Sequence, residues 1–180
     1  IQATTGPHGG ITPSGAVPVV EGGTTNFTIT PDTYWHVDAV TTNGASAGAV
    51  AALTWSNIMA NGSIHAEFAP DLAVRGTPHW WLAWYGLTNG GWSFDQAETN
   101  NPDNDPHENW QEYIADTHPT NSASYFRITG VTNLPPLTLY FDASSERLYT
   151  LFGRGSLLDG TWTNVPGAGP RTGAGGADSM

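Results

Sequence analysis

The sequence predicts a mainly β protein, and three observations carry that prediction. With 22 Gly and 13 Pro in 180 residues, and many Thr and Asn, the composition suits short strands joined by tight turns. Turn formers recur at short intervals, as Gly6-Pro7-His8-Gly9-Gly10, Pro13-Ser14-Gly15, Glu21-Gly22-Gly23, Pro31-Asp32, Asn43-Gly44 and Asn61-Gly62. Between them the apolar residues alternate with period two. In Asn26–Thr30 this puts Phe27 and Ile29 on one face, and in Ile64–Phe68 it does the same for Ile64, Ala66 and Phe68. The expected organisation is a small β domain over residues 1–70, a helical segment with a calcium loop over 71–121, and a second strand-rich domain over 122–180.

In the first domain, strands are expected at Ile1–Thr5, Ile11–Pro13, Ala16–Val20, Thr25–Thr30, Trp35–Thr41, Val50–Trp55 and Ser63–Phe68. His36 and His65 read as solvent-facing or cross-strand histidines, with no carboxylate at metal-ligand spacing. Asn26-Phe27-Thr28 and Asn61-Gly62-Ser63 are glycosylation sequons. The run Ile1-Gln2-Ala3, Gly9-Gly10-Ile11-Thr12-Pro13-Ser14-Gly15, Phe27-Thr28-Ile29-Thr30-Pro31, Tyr34-Trp35-His36-Val37 and Ile64-His65-Ala66-Glu67-Phe68-Ala69 resembles the divergent internalin B-type bacterial repeat. That resemblance implies a compact β-repeat domain of secreted or surface-anchored bacterial proteins, a spacer or adhesive unit without catalytic residues.

Thr77–Gly86 carries the clearest helix signal. Thr77 suits the N-cap, Pro78 the first helical position and Gly86 the left-handed residue beyond the end. Trp80 and Trp84 pair at i, i+4, as do Trp81 and Tyr85, so the rings are expected to dock the helix on its neighbours. The competing reading is a carbohydrate-binding face built from Trp80, Trp81, Trp84 and Trp92, because a sugar's C–H face stacks on an exposed indole. Short helical turns are expected at Trp92–Glu98 and Trp110–Asp116.

Between those turns lies Asn101–Glu112. Counted as a twelve-residue calcium loop, it offers side-chain oxygens from Asn101, Asp103, Asp105, Asn109 and Glu112 at positions 1, 3, 5, 9 and 12, with the His107 carbonyl at position 7. Alternate residues turn inward, and a last carboxylate closes the shell from the following helix. Pro106 stands at position 6, where the sharp turn calls for Gly, and its fixed φ excludes the standard loop there. A polar linker using Asn, Asp and Pro as turn formers is the competing reading. The Trp80-Trp81-Leu82 helix, the loop, Asn109–Ala115 with Thr117, Pro119, Thr120 and Asn121, and then Ser124 with Phe126-Arg127-Ile128 resemble the thrombospondin type 3 or dockerin-like calcium segment of secreted bacterial proteins. That resemblance implies the same ligands. Asn101, Pro106, Asp116 and His118 depart from its pattern, which points to a site filling at roughly 10⁻⁴–10⁻³ M calcium or to a decayed one.

Strands are expected at Ser124–Thr129, Leu137–Phe141, Leu148–Phe152 and Thr161–Val165, separated by Pro135-Pro136, Ser144-Ser145 and Asp159-Gly160. Trp162-Thr163-Asn164-Val165-Pro166-Gly167 resembles a strand of C-terminal modules in such secreted proteins, which continue through a Gly-rich turn to a last strand. That resemblance implies an Ig-like or β-sandwich-like domain lacking that last strand, since the sequence ends at Gly175–Met180. An unpaired edge of that kind invites a strand from another copy, and hence assembly into a polymer or filament.

Sixteen acidic residues face five arginines and no lysine, for a net charge of −11. That balance argues against nucleic acid as a partner and suits divalent cations. Without cysteine there is no disulfide and no thiolate zinc site. No apolar run is long enough for a membrane span. The start at Ile1, inside an expected strand, reads as a processed segment, consistent with removal of a secretion signal. No H-E-x-x-H, G-x-S-x-G, P-loop or dinucleotide fingerprint occurs. The expected function is therefore a non-enzymatic, calcium-stiffened structural or adhesive module, extracellular or on a bacterial cell surface. Its expected partners are other copies of itself, the remainder of a larger surface protein, or polysaccharide.

Overall fold

A computed structural model describes residues 1–132, 137–156, 158 and 160–180. It is mainly β, as the turn spacing predicts, and it divides into two compact units, Ile1–Trp84 and Tyr85–Met180. That division falls inside the 71–121 stretch read as one helical segment: its first helix belongs to the first unit, the other two to the second.

The first unit contains β1 (Gln2–Thr5), β2 (Gly9–Thr12), β3 (Gly15–Ala16), β4 (Gly23–Pro31), β5 (Trp35–Thr42), β6 (Ala45–Gly48), β7 (Ala52–Ile58) and β8 (Ser63–Pro70). Five strands form a sheet in the order β3-β1-β8-β5-β6, and three form another in the order β2-β4-β7. β1 and β8 pair in parallel, and the other strand pairs of this unit are antiparallel. The alternation read from the sequence is realised. Phe27 and Ile29 on β4 and Ile11 on β2 meet Ala3, Val40, Ile64 and Ala66 of the larger sheet in one core. Burying each large apolar side chain contributes about 1.5–3 kcal/mol. Asn43 and Gly44, at φ +49° and +79°, make the two-residue turn whose twist suits the β5–β6 hairpin.

Two strand expectations change. Ala16–Val20 shrinks to Gly15–Ala16, and β6 forms where none was expected, because Ala45–Gly48 offers no branched or aromatic residue to signal it.

Helix α1 (His79–Trp84) starts later than expected. The Pro78 carbonyl accepts from the Trp81 and Leu82 amides at 3.1 and 3.2 Å, so Pro78 occupies the capping position and not the first helical one. The Thr77 hydroxyl is buried without a hydrogen-bond partner among the described residues and does not cap. Gly86 takes the left-handed φ of +67° expected beyond the helix end.

The second unit contains α2 (Phe94–Glu98), α3 (Asn109–Ala115), β9 (Ile128–Val131), β10 (Leu139–Ala143), β11 (Leu148–Tyr149), β12 (Phe152–Gly153), β13 (Thr163–Asn164), β14 (Arg171–Thr172) and β15 (Gly176–Ser179). These strands make a three-stranded sheet in the order β15-β10-β9 and two ribbons, β11-β14 and β12-β13. Phe126, Phe141 and Tyr149 cluster with ring centroids 5.2–5.9 Å apart. The expectation of a missing last strand is corrected. β15 pairs antiparallel with β10 from Tyr140↔Ser179 to Ala143↔Gly176, so β10 is flanked on both sides, and β15 and β9 lie at the edges of this sheet among the described residues. The sequence hid β15 because Gly-Ala-Asp-Ser carries no apolar alternation. The expected Pro135-Pro136 turn and Asp159 lie outside the described residues.

Candidate metal centre

The loop between α2 and α3 is closed by local chemistry at both ends. Ser93 caps α2 reciprocally with Gln96: the Gln96 amide donates to Ser93 Oγ at 3.2 Å, and the Ser93 amide donates to Gln96 Oε1 at 3.0 Å. At the start of α3 the Asn109 amide donates to the Asn100 carbonyl at 2.9 Å, and Asn109 Nδ2 donates to the Ala97 carbonyl at 2.7 Å. These two bonds fasten α3 to the end of α2. The Glu108 amide donates to Gln111 Oε1, and Trp110 Nε1 donates to Glu108 Oε2, which fixes the helix entry.

Inside the loop, Asn101 Nδ2 donates to the Asp105 carbonyl at 2.6 Å, the Asp105 amide to Asp103 Oδ1 at 3.3 Å, and the His107 amide to Asp105 Oδ1 at 2.6 Å. The reversal that Pro106 cannot make is made by Asn104, at φ +59°. Asparagine tolerates that region better than most side chains. The sharp turn thus sits at position 4 of the loop, two residues earlier than the standard pattern.

Asn101, Asp103, Asp105 and Asn109 each commit one polar side-chain atom to these bonds. Their remaining oxygens, Asn101 Oδ1, Asp103 Oδ2, Asp105 Oδ2 and Asn109 Oδ1, are buried without a hydrogen-bond partner among the described residues, and so are both carboxylate oxygens of Glu112. Buried polar atoms are ordinarily satisfied. Here six of the exceptions among the described residues fall on the five side chains that the spacing selects. Asp103, Asp105 and Glu112 bring ligand oxygens within 4.8 Å of one another, a cluster that could hold a metal ion.

The electrostatics agree with the geometry. Burial pushes the Glu112 carboxyl up to about 8, and the charges of Asp103 and Asp105 push in the same direction. The Thr117 hydroxyl works the other way without reaching hydrogen-bond geometry. A cation would reverse the sign of this environment.

His107, expected to contribute its carbonyl, turns its ring toward Tyr125 at 6.1 Å between centroids, and its buried Nδ1 makes no hydrogen bond among the described residues. Sequence reasoning missed Glu98, a buried carboxylate on α2 outside the loop spacing and outside the three-carboxylate cluster. The helical period gave no signal for it.

The four tryptophans weighed for carbohydrate binding separate. Trp81 is buried on α1, whereas Trp80, Trp84 and Trp92 are 39, 79 and 45% exposed. The expectation that these rings all pack on neighbours is corrected for Trp84, which faces solvent. His36 and His65 each meet a carboxylate, contrary to the spacing argument. His36 Nδ1 lies 2.8 Å from Asp71 Oδ1 and His65 Nε2 lies 2.6 Å from Glu67 Oε1. Glu67 is two residues along the same strand face, and Asp71 is brought in by the fold. Neither pair gathers a third ligand among the described residues.

Comparison with protein-family models, curated proteins and solved structures finds no match to this chain. The two resemblances drawn from its motifs therefore rest on those motifs alone.

Proposed function

We propose that the chain is a non-enzymatic structural module whose second unit is stiffened by calcium, and that it serves as a spacer or adhesive segment of an extracellular or cell-surface protein. One observation carries the reading: five side chains at loop positions 1, 3, 5, 9 and 12 each leave at least one buried oxygen unsatisfied. Six such oxygens, two of them from Glu112, suit a hard cation of calcium's size, which takes six to eight at about 2.3–2.6 Å. Magnesium demands a stricter octahedron and retains water, which fits a carboxylate-closed loop less well.

Three carboxylates with a neutral Asn101 make a weak site, and a dissociation constant of roughly 10⁻⁴–10⁻³ M suits calcium outside cells. The ion would tie α3 to the loop leaving α2, through Glu112 at one end and Asn101, Asp103 and Asp105 at the other. No helix among the described residues is long and apolar enough to cross a membrane. Thermal melts in EDTA, 10 mM magnesium and 10 mM calcium test the proposal. At a dissociation constant of about 1 mM, 10 mM calcium adds about 1.4 kcal/mol, and the melt should rise by several degrees. Coincident melts in calcium and EDTA would sink it.

A further inference from the structure

Away from the cation loop, the first unit gathers aromatic rings from three separate elements. His8, between β1 and β2, lies flat on Trp35 at the start of β5, with centroids 3.6 Å apart and planes 9° from parallel. Trp80 of α1 joins them to line a cleft of about 420 Å³, with no carboxylate and no arginine in its wall among the described residues. Hydrogen bonds bring these pieces together. The Asp32 amide donates to the His8 carbonyl at 3.0 Å, the Trp35 amide to the Asp32 carbonyl at 3.0 Å, and the His79 amide to the Asp71 carbonyl at 2.9 Å.

Two backbones here stand in the left-handed region, His8 at φ +67° and Tyr34 at φ +70°. Non-glycine residues adopt it in only about a few per cent of cases, histidine more readily than tyrosine, and such conformations persist where the surroundings hold them, often at ligand clamps. Trp84 follows Trp80 by one helical turn, and the two indoles are 79 and 39% exposed. The two indoles continue from the cleft along the exposed side of α1.

We propose that the His8–Trp35–Trp80 cleft binds one sugar ring of a neutral polysaccharide, with a neighbouring sugar resting on Trp84. The C–H face of a pyranose matches an indole face, while its hydroxyls remain free for water and for the His8 imidazole. A wall lined by His8, Trp35 and Trp80 without an arginine, on a chain of net charge −11, disfavours acidic glycans. This proposal stands apart from the cation reading, since every residue in it belongs to the first unit.

Native affinity electrophoresis of the full chain, in gels containing hydroxyethylcellulose, arabinoxylan, galactomannan or soluble starch, tests it, with polygalacturonate as the anionic control. At least one neutral polymer should retard the protein, in EDTA as in calcium. Trp80→Ala should weaken that retardation about tenfold or more. Trp84→Ala, at a site too exposed to threaten the fold, should weaken it less. Trp92→Ala, in the second unit, should leave it unchanged. Circular dichroism melts confirm that each variant is folded. The proposal is overturned if none of the four neutral polymers retards the chain, if folded Trp80→Ala and Trp84→Ala migrate as the parent does, or if polygalacturonate retards it most. Quenching of tryptophan fluorescence by choline in place of neutral sugars would overturn it too, assigning the cleft to a quaternary ammonium.

Discussion

Asp103 and Glu112 bring carboxylate oxygens within 4.8 Å of each other across nine positions of sequence, and Glu112 does so from a fully buried place on α3. Two such groups repel unless a proton or a cation intervenes. The loop is folded into an arrangement that its own charges oppose.

Glu112→Gln should therefore separate two effects that ordinary destabilising substitutions combine. Gln removes a group that must either ionise beside Asp103 and Asp105 or take up a proton on folding, so near neutral pH the metal-free variant should melt at or above the temperature of the parent. The same change removes an anionic ligand, so the rise produced by 10 mM calcium should largely disappear. Calorimetric melts in EDTA and in calcium check both halves. A variant that is less stable in EDTA yet still responds to calcium would assign Glu112 to packing.

The raised Glu112 carboxyl sets a direction for pH dependence. Its folded value of about 8 lies above the ordinary 4.5, so between these values the folded state holds more proton than the unfolded one. Stability must then fall as pH rises through that window. In EDTA the parent should lose on the order of a few kcal/mol, relative to Glu112→Gln, between about pH 5 and pH 8. Saturating calcium favours the carboxylate and should abolish or reverse the slope. Urea denaturation at several pH values, with parent and variant compared at each, measures it.

Much of this was legible in the sequence where the signal was local. Alternation in Asn26–Thr30 identified Phe27 and Ile29 as core, and the spacing of Asn101, Asp103, Asp105, Asn109 and Glu112 marked the side chains that the fold leaves with unsatisfied oxygens. The misses share a cause, in that the deciding partner is remote or is only backbone. Nothing near His8 announces Trp35, 27 positions on, as the ring it lies on. The strand at Gly176–Ser179 is defined by its ladder to β10 and by no side-chain pattern. At Pro106 the residue correctly excluded the standard turn, but the substitute at Asn104 depends on how the whole loop closes.

Gly9 and Gly10 form a paired test of the first core. A Cβ on Gly9 would lie 2.3 Å from Cζ of Phe68, inside the ring's own volume, while one on Gly10 would meet nothing among the described residues within 4 Å. Phe68 packs against the buried cluster and has little freedom to withdraw. Gly9→Ala should cost about 1–3 kcal/mol through overpacking, and Gly10→Ala should be close to neutral. Urea midpoints for the two variants decide the matter, and equal midpoints would show that β2 can shift away from β8 at little cost.

Arg171 holds the last strand in a way that responds to acid. Its Nη2 donates to Asp178 Oδ1 and to the Ser179 carbonyl, both at 2.6 Å, while Asp178 also accepts from the Ala174 amide at 3.1 Å and the Ser179 amide at 2.7 Å. The hydrogen bond from Arg171 is the largest influence holding the Asp178 carboxyl below the usual range, with the two amides adding to it. For a carboxyl lowered by folding, the stabilisation is present above its unfolded pKa and is lost as pH falls through the folded one. This slope is opposite to that of Glu112 and lies on the acid side of it. Arg171→Ala should loosen β15 from β10 while leaving α2, α3 and the cation loop folded. The reciprocal amides of Leu139 and Met180, bonded at 2.7 and 2.8 Å, report on that ladder. Their hydrogen exchange should accelerate about tenfold in the variant near neutral pH, after correction for intrinsic rates. The difference from the parent should narrow as acid protonates Asp178. Unchanged exchange at both amides would mean that the backbone ladder alone holds the strand.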